Sequence, residues 1–137
     1  MQPLLLDTCA VIWINGDEPI KPEAVAAMNA AYAKSVTTFV SPITAWEIGL
    51  LVSRERLRLL ITPERWFGKI LELPGTSLAE LSPEVLIASS FLPGKPPRDP
   101  ADRIIAATAR QLGATLITRD SALLGYAKQG HLNAIAC

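Results

Sequence analysis

Four acidic residues sit where this chain could do chemistry: Asp7, Glu47, Asp102 and Asp120. Asp7 directly follows the apolar run Leu4-Leu5-Leu6, and Asp120 follows Ala114–Thr118 with one residue between. Asp102 falls in the first turn of an expected helix and Glu47 in the second turn of another. In open parallel sheets, sites form outside the carboxyl ends of strands, where the following helices begin. All four acids can therefore converge on one sheet edge, although the outermost pair lies more than a hundred residues apart. Carboxylates brought together repel one another and lose solvation. A divalent cation compensates both effects, and an all-oxygen set suits Mg²⁺ or Mn²⁺ rather than zinc. His131 is the only histidine, which removes Ser-His-Asp and Cys-His catalysis. A carboxylate-held ion can activate a bound water and neutralise charge on a phosphodiester. One ion, or two about 3.5–4 Å apart, would serve.

Each acid also has a plainer reading. Asp99 before Pro100 fits a helix N-cap, Asp102 complements a helix dipole, and Asp120 before Ser121-Ala122 fits another cap. Glu47, between Trp46 and Ile48, can face solvent. Asp7 is harder to treat as structural only, because an acid after a buried strand needs a partner. The conjunction of the four carries the chemical reading.

The elements that must position them are legible from pattern. Leu4–Leu6 is a short apolar run of the kind buried on both faces of a parallel sheet. Ala10–Ile14 reads as a short helix stopped by Asn15-Gly16-Asp17, and the Ala-rich stretch Lys21–Lys34 as a longer one opening with Pro22-Glu23. Thr37–Val40 is β-branched and aromatic, hence a strand. Ser41-Pro42, Thr62-Pro63, Ser82-Pro83 and Asp99-Pro100 each pair a capping side chain with proline at the first helical position. They predict helices over Ile43–Arg54, through Leu71 to Pro74-Gly75, from Ser82, and through Leu112 to a stop at Gly113. Leu92–Pro100, rich in proline, is a loop. Ala114–Thr118 is a strand, a short helix runs to Tyr126, and Thr76–Leu81 and Leu132–Ile135 are weaker strand candidates. The alternation predicts an α/β domain with a mainly parallel central sheet. Trp13, Trp46 and Trp66 stand at apolar helical positions, which predicts core packing rather than base stacking.

At 137 residues the chain suits one domain, 1–137, without repeats or linkers. Half the residues are hydrophobic and 19% charged, which excludes a disordered chain. Thirteen basic residues balance thirteen acidic ones, so no global field draws in nucleic acid. Residues 1–53 hold two lysines against five acids, so any basic surface lies later, around Arg54, Arg56, Arg58, Arg98, Arg103 and Arg119. Solvated faces explain those charges equally well. Cys9 and Cys137 form no disulfide framework, and Cys9 reads as a small buried hydrophobe. Neither a signal peptide nor a run of ~18 apolar residues is evident, so a cytoplasmic protein without a membrane span is expected.

At Leu4-Leu5-Leu6-Asp7-Thr8, Val40-Ser41-Pro42 with Trp46-Glu47-Ile48, Arg98-Asp99-Pro100-Ala101-Asp102-Arg103, and Leu116-Ile117-Thr118-Arg119-Asp120, the sequence resembles the PIN-domain family. The likeness is to the VapC-type toxins of bacterial toxin–antitoxin pairs, and its segments keep the family's order over almost the whole chain. It implies an α/β/α sandwich of about five strands and Mg²⁺- or Mn²⁺-dependent endoribonuclease activity. It also implies a cognate antitoxin and pairing as a homodimer. Position by position, Asp7, Glu47, Asp102 and Asp120 match the family's acidic quartet, with Asp7 and Asp102 the most direct metal ligands. Thr8 and Thr118 match supporting polar positions, and Asp99 an accessory acid. Arg98, Arg103 and Arg119 are candidate phosphate contacts. Two departures are Pro97, where many relatives have His, and Ala101, where they often have Phe.

Three other readings fit less well. A phosphorylated receiver domain needs a mid-chain acceptor Asp after a strand and a late Lys, but here stand Glu47 within a helix and Arg119. A nucleotide-binding module lacks any Gly-x-Gly-x-x-Gly or Gly-x-x-x-x-Gly-Lys-Ser/Thr loop. A catalytically silent PIN-like module that binds RNA or protein would not need the complete quartet.

Overall fold

The computed structural model describes residues 1–16 and 18–137. Strand β1 (Leu4–Leu6) is buried along its whole length and lies at the centre of a five-stranded sheet. β2 (Thr38–Val40) and then β3 (Thr76–Leu78) pair on one side of it, and β4 (Thr115–Thr118) and then β5 (Asn133–Ala136) on the other. Every pairing is parallel, with Leu6 level with both Val40 and Ile117. The sheet is thus wholly parallel rather than mainly so.

Period-two alternation along the strands divides the apolar residues between two cores. Leu4, Leu6, Val40 and Ile117 face one cluster with Val11, Ala24, Ile48 and Ile70. Leu5 and Leu116 face the other with Ile105, Ala106, Leu123 and Tyr126. α1 (Thr8–Asn15), α2 (Pro22–Ala33) and α4 (Pro63–Leu71) feed the first core. α6 (Pro100–Leu112) and α7 (Ser121–Lys128) feed the second. α3 (Pro42–Ser53) contributes Ile48 to one and Ile43 to the other. The result is a three-layer α/β/α sandwich.

The capping pattern explains where helices begin. Ser41, Thr62 and Ser82 accept from the backbone N–H of Ile43, Arg65 and Val85, the last opening α5 (Pro83–Ala88). Proline occupies the first turn of each of these helices, where its missing N–H costs nothing. α6 ends at Gly113, whose φ of 62° is the left-handed C-cap that glycine adopts without strain. α1 starts two residues earlier than Ala10, because Asp7 caps it directly after β1. Asp17, the last residue of the expected stop to α1, lies outside the described residues. β3 is shorter than Thr76–Leu81, and β5 is displaced by one residue from Leu132–Ile135.

The tryptophans depart from expectation. Trp66 is in the core, but Trp13 is only half-buried and Trp46 is 56% exposed. Ile48, two residues on, is the residue of that turn that enters the core, so Trp46 lies on the solvent side of α3.

Candidate functional site

In the order β3-β2-β1-β4-β5 the succession of strands runs one way from β1 and the other way from β4, and the two parallel strands' carboxyl ends open a crevice there. Asp7 leaves β1, and its backbone N–H donates to the Ile117 carbonyl at 3.0 Å. Asp120 follows β4 and caps α7, accepting from the Leu123 N–H at 2.9 Å. Glu47 comes from α3 and Asp102 from the first turn of α6. All four acids line one crevice of about 280 Å³, with Thr8, Cys9 and Arg119 beside them and Ile12 and Leu51 as apolar wall. A wider cleft of about 490 Å³ beside Pro19, Leu124 and Cys137 has no acid among its described lining residues.

Asp7 is 5% exposed. Thr118 Oγ1 donates to its Oδ2 at 2.7 Å, the Thr8 N–H to its Oδ1 at 2.8 Å, and the Cys9 thiol to Oδ2 at 3.4 Å. Burial pushes Asp7 up; those three bonds pull against the shift and the Asp120 charge adds to it, leaving the carboxyl above its ordinary value. Glu47 accepts from Thr8 Oγ1 at 2.6 Å, and Thr8 Oγ1 lies 2.9 Å from Thr44 Oγ1. With the Thr8 proton directed to Glu47, the Thr44 hydroxyl is the donor in that second contact. Burial raises Glu47 as well, against the Thr8 bond and with the charges of Asp7, Asp99 and Asp120. Asp102 is pushed up to about 7 by burial and then by Asp120, Asp99, Asp7 and Glu47. Such crowding is the electrostatic mark of carboxylates held together more tightly than their own charges favour.

Asp99 is exposed and caps α6, accepting from the Asp102 N–H at 3.0 Å, so its helix-capping reading holds while its charge still reaches Asp102 and Glu47. Asp120 likewise both caps a helix and faces the crevice. Pro97 and Ala101, the two departures from the family pattern, are buried beside this segment.

Two residues acquire roles not expected of them. Cys9 is not a packing hydrophobe: it is half-buried, donates to Asp7, and accepts from the Arg119 N–H at 3.5 Å. Burial and then the Asp7 charge push its thiol up to about 12, so it stays protonated and able to donate. Thr44 was legible in principle, since it stands three residues before Glu47 on one helix and so shares its face.

Two of the three candidate phosphate contacts, Arg119 and Arg103, also bond within the chain. Arg119 donates from Nη2 to the Cys137 carbonyl at 2.8 Å and the Pro19 carbonyl at 3.2 Å, and its Cζ stacks 3.7 Å from the Trp13 ring centroid. Arg103 is half-buried and donates to the Ser89 carbonyl at 3.3 Å. Their guanidinium groups are used within the protein. Arg98 is exposed.

The donor set fits a hard divalent cation: four carboxylates from four segments, with their mutual repulsion recorded in Asp102. As they stand, no three Asp, Glu, His or Cys side chains among the described residues form an ion-holding group. Glu47 is turned to Thr8 and Asp120 to Leu123, so the acids meet in one crevice without forming a closed cage.

Fold and site together define a doubly wound α/β domain with an acidic crevice at its topological switch point. The PIN domain family model matches residues 4–129. Ribonuclease VapC22 of Mycobacterium tuberculosis is 32% identical over 126 residues, 92% of this chain and 93% of that protein. The chain therefore belongs to the PIN domain family. Among solved structures, VapBC2 of Rickettsia felis bound to a DNA fragment from its promoter superposes with a TM-score of 0.67 at 17% identity, covering 98% of both chains. DNA-bound VapBC of Salmonella typhimurium gives 0.66 at 18% identity, covering 99% of this chain and 98% of that one. At those identities the likeness is one of fold.

Proposed function

We propose that this chain is a metal-dependent endoribonuclease that hydrolyses RNA phosphodiester bonds, and the toxin of a toxin–antitoxin pair. The observation that carries the reading is the convergence of Asp7, Glu47, Asp102 and Asp120 in one crevice, with Asp102 raised to about 7 by its neighbours. The relative named as a ribonuclease and the fold shared with VapBC complexes support it. One domain, residues 1–137, carries the activity. No described helix is long and apolar enough to cross a membrane, and the proposed setting is the cytoplasm.

Asp7, Asp102, Asp120 and Glu47 would hold Mg²⁺ or Mn²⁺. Such an ion, when bound, neutralises the crowded carboxylates and the charge developing on the phosphodiester. The chain's own groups do the rest. Thr118 and Cys9 fix the Asp7 carboxylate, and Thr8, backed by Thr44, fixes Glu47 through Oε1. With Oε1 so held, Glu47 has Oε2 for the ion or for a proton from the attacking water, and a half-buried carboxylate of raised pKa suits the second role. Of the arginines, Arg98 is the exposed one placed next to this segment, and it takes the phosphate-positioning role. The proposed protein partners are a cognate antitoxin and a second copy of the chain.

The test compares wild type with Asp7→Asn and Asp102→Asn on total cellular RNA, with Mg²⁺ or Mn²⁺ and with EDTA. Cleavage is expected from wild type with metal alone, with each variant reduced at least ~100-fold. Equal cleavage by wild type and variants, or cleavage indifferent to EDTA, would overturn the reading.

A further inference from the structure

Arg119 lies in the turn that ties the end of β4 to the crevice. On one side, Thr118 Oγ1 accepts from the Asp120 N–H at 3.0 Å and donates to Asp7 at 2.7 Å. On the other, the N–H of Arg119 itself donates to the Cys9 thiol, which donates to Asp7. Two short relays thus run from the turn carrying Asp120 into the carboxylate of Asp7. The backbone adds a bond from the Cys137 N–H to the Thr118 carbonyl at 3.0 Å. The Arg119 side chain ties the turn to α1 as well: it reaches back with Cζ over the Trp13 ring, 3.7 Å from its centroid, and donates from Nη2 to the carbonyls of both Pro19 and Cys137. Trp13 belongs to the same helix that Asp7 caps. A planar guanidinium can stack and donate in its own plane at once; an ammonium cannot.

We propose that Arg119 is a positioning residue: clamped on Trp13 and on the backbone of Pro19 and Cys137, it holds the Thr118–Asp120 turn against α1. It thereby sets the separation of Asp7 and Asp120, and with it the affinity of the crevice for a divalent cation. The inference rests on the proposed metal-dependent function, and its test separates the two.

Mn²⁺ alone is titrated calorimetrically into wild type, Arg119→Ala, Arg119→Lys and Trp13→Leu, each first checked for folding by circular dichroism. Amide hydrogen exchange at Leu123, which reports the Asp120 cap bond, is followed without metal. Both Arg119 variants are expected to bind Mn²⁺ roughly 10–100-fold more weakly, the range for residues that orient metal ligands. Leu123 is expected to exchange faster in both, Trp13→Leu to weaken Mn²⁺ binding in the same direction, and an Arg119→Ala/Trp13→Leu double variant, titrated alongside, to bind little worse than Arg119→Ala alone. If Arg119→Lys binds like wild type, only the positive charge matters and the clamp is wrong. Unchanged affinity and unchanged Leu123 exchange in both Arg119 variants would also overturn it. If wild type itself takes up no Mn²⁺, the nuclease reading fails, and the Leu123 exchange rate by itself decides the clamp.

Discussion

At the scale of single residues, Asp102 is the most exposed to electrostatic test. Its carboxyl titrates near 7 in the folded chain against 3.8 as a free side chain, because burial and four neighbouring acids disfavour its charge. Between those values the folded state holds a proton that the unfolded state has released, so stability falls as pH rises through the window. In EDTA, Asp102→Asn is therefore expected to melt higher than wild type at pH 8, by roughly 5 °C. The gain should shrink steadily toward pH 4; a gain that is constant with pH would show that Asp102 is not crowded. Metal binding runs the other way, since the ligand must be ionised, and apparent Mn²⁺ affinity should climb as pH passes 7. Thr118 offers a second test. Thr118→Val keeps the shape but removes both the donor to Asp7 and the acceptor for the Asp120 N–H. Asp7 keeps the Thr8 N–H and the Cys9 thiol, so the loss is that of one hydrogen bond to a charged group, about 1.5–3 kcal/mol. Urea unfolding should register that loss, and cleavage should fall roughly 10–100-fold with the fold intact.

At the scale of elements, the helix starts do two jobs, and a pair of substitutions can separate them. Asp99 caps α6 through Oδ1 while adding negative charge near Asp102. Asp99→Asn keeps an oxygen for the Asp102 N–H and removes the charge, whereas Asp99→Ala removes both. The alanine variant should lose about 1 kcal/mol in urea unfolding and the asparagine variant close to none. Equal loss in both would mean the charge, not the cap, stabilises α6. The same local chemistry explains why the elements could be read from sequence. Ser41, Thr62, Ser82 and Asp99, each followed by proline, mark helix starts through bonds spanning two or three residues. The position of the acids relative to strand ends was legible for the same reason. Contacts between distant elements were not. The Cys9 thiol meets the Arg119 N–H across 110 residues, and the Arg119 guanidinium meets the Pro19 carbonyl across 100. Neither an apolar neighbourhood nor a basic count reveals them. The exposure of Trp46 was equally hidden, because α3 is apolar nearly all round and only its tertiary neighbours decide which side is covered.

At the scale of the molecule, the difficulty is holding a polyanion with no net charge. Nucleic-acid affinity comes largely from cations that neutralise phosphates. Here basic and acidic residues are equal in number, two of the candidate arginines are used internally, and the crevice itself is acidic. Pairing two protomers would place two sets of exposed arginines along one substrate and raise affinity without any new contact type. The surface best suited to such pairing lies at α5. Leu86 is 42% exposed, Ile87 64% and Phe91 80%, the first two on α5 and Phe91 three residues past its end. Contiguous apolar patches larger than a few hundred Å² are rare on free solvent faces and mark association surfaces. If the proposed homodimer forms through this face, replacing Ile87 and Phe91 together by aspartate is expected to leave a species that sediments as one chain. Neither residue lines the crevice, so Mn²⁺ affinity should be retained. The KM for RNA should rise on the order of tenfold or more as the second set of cations is lost. A variant that still sediments like wild type would show that this face is not where copies meet. A monomer with an unchanged KM would show that one protomer's exposed cations are enough to hold the strand, and that the grip on RNA lies within a single chain.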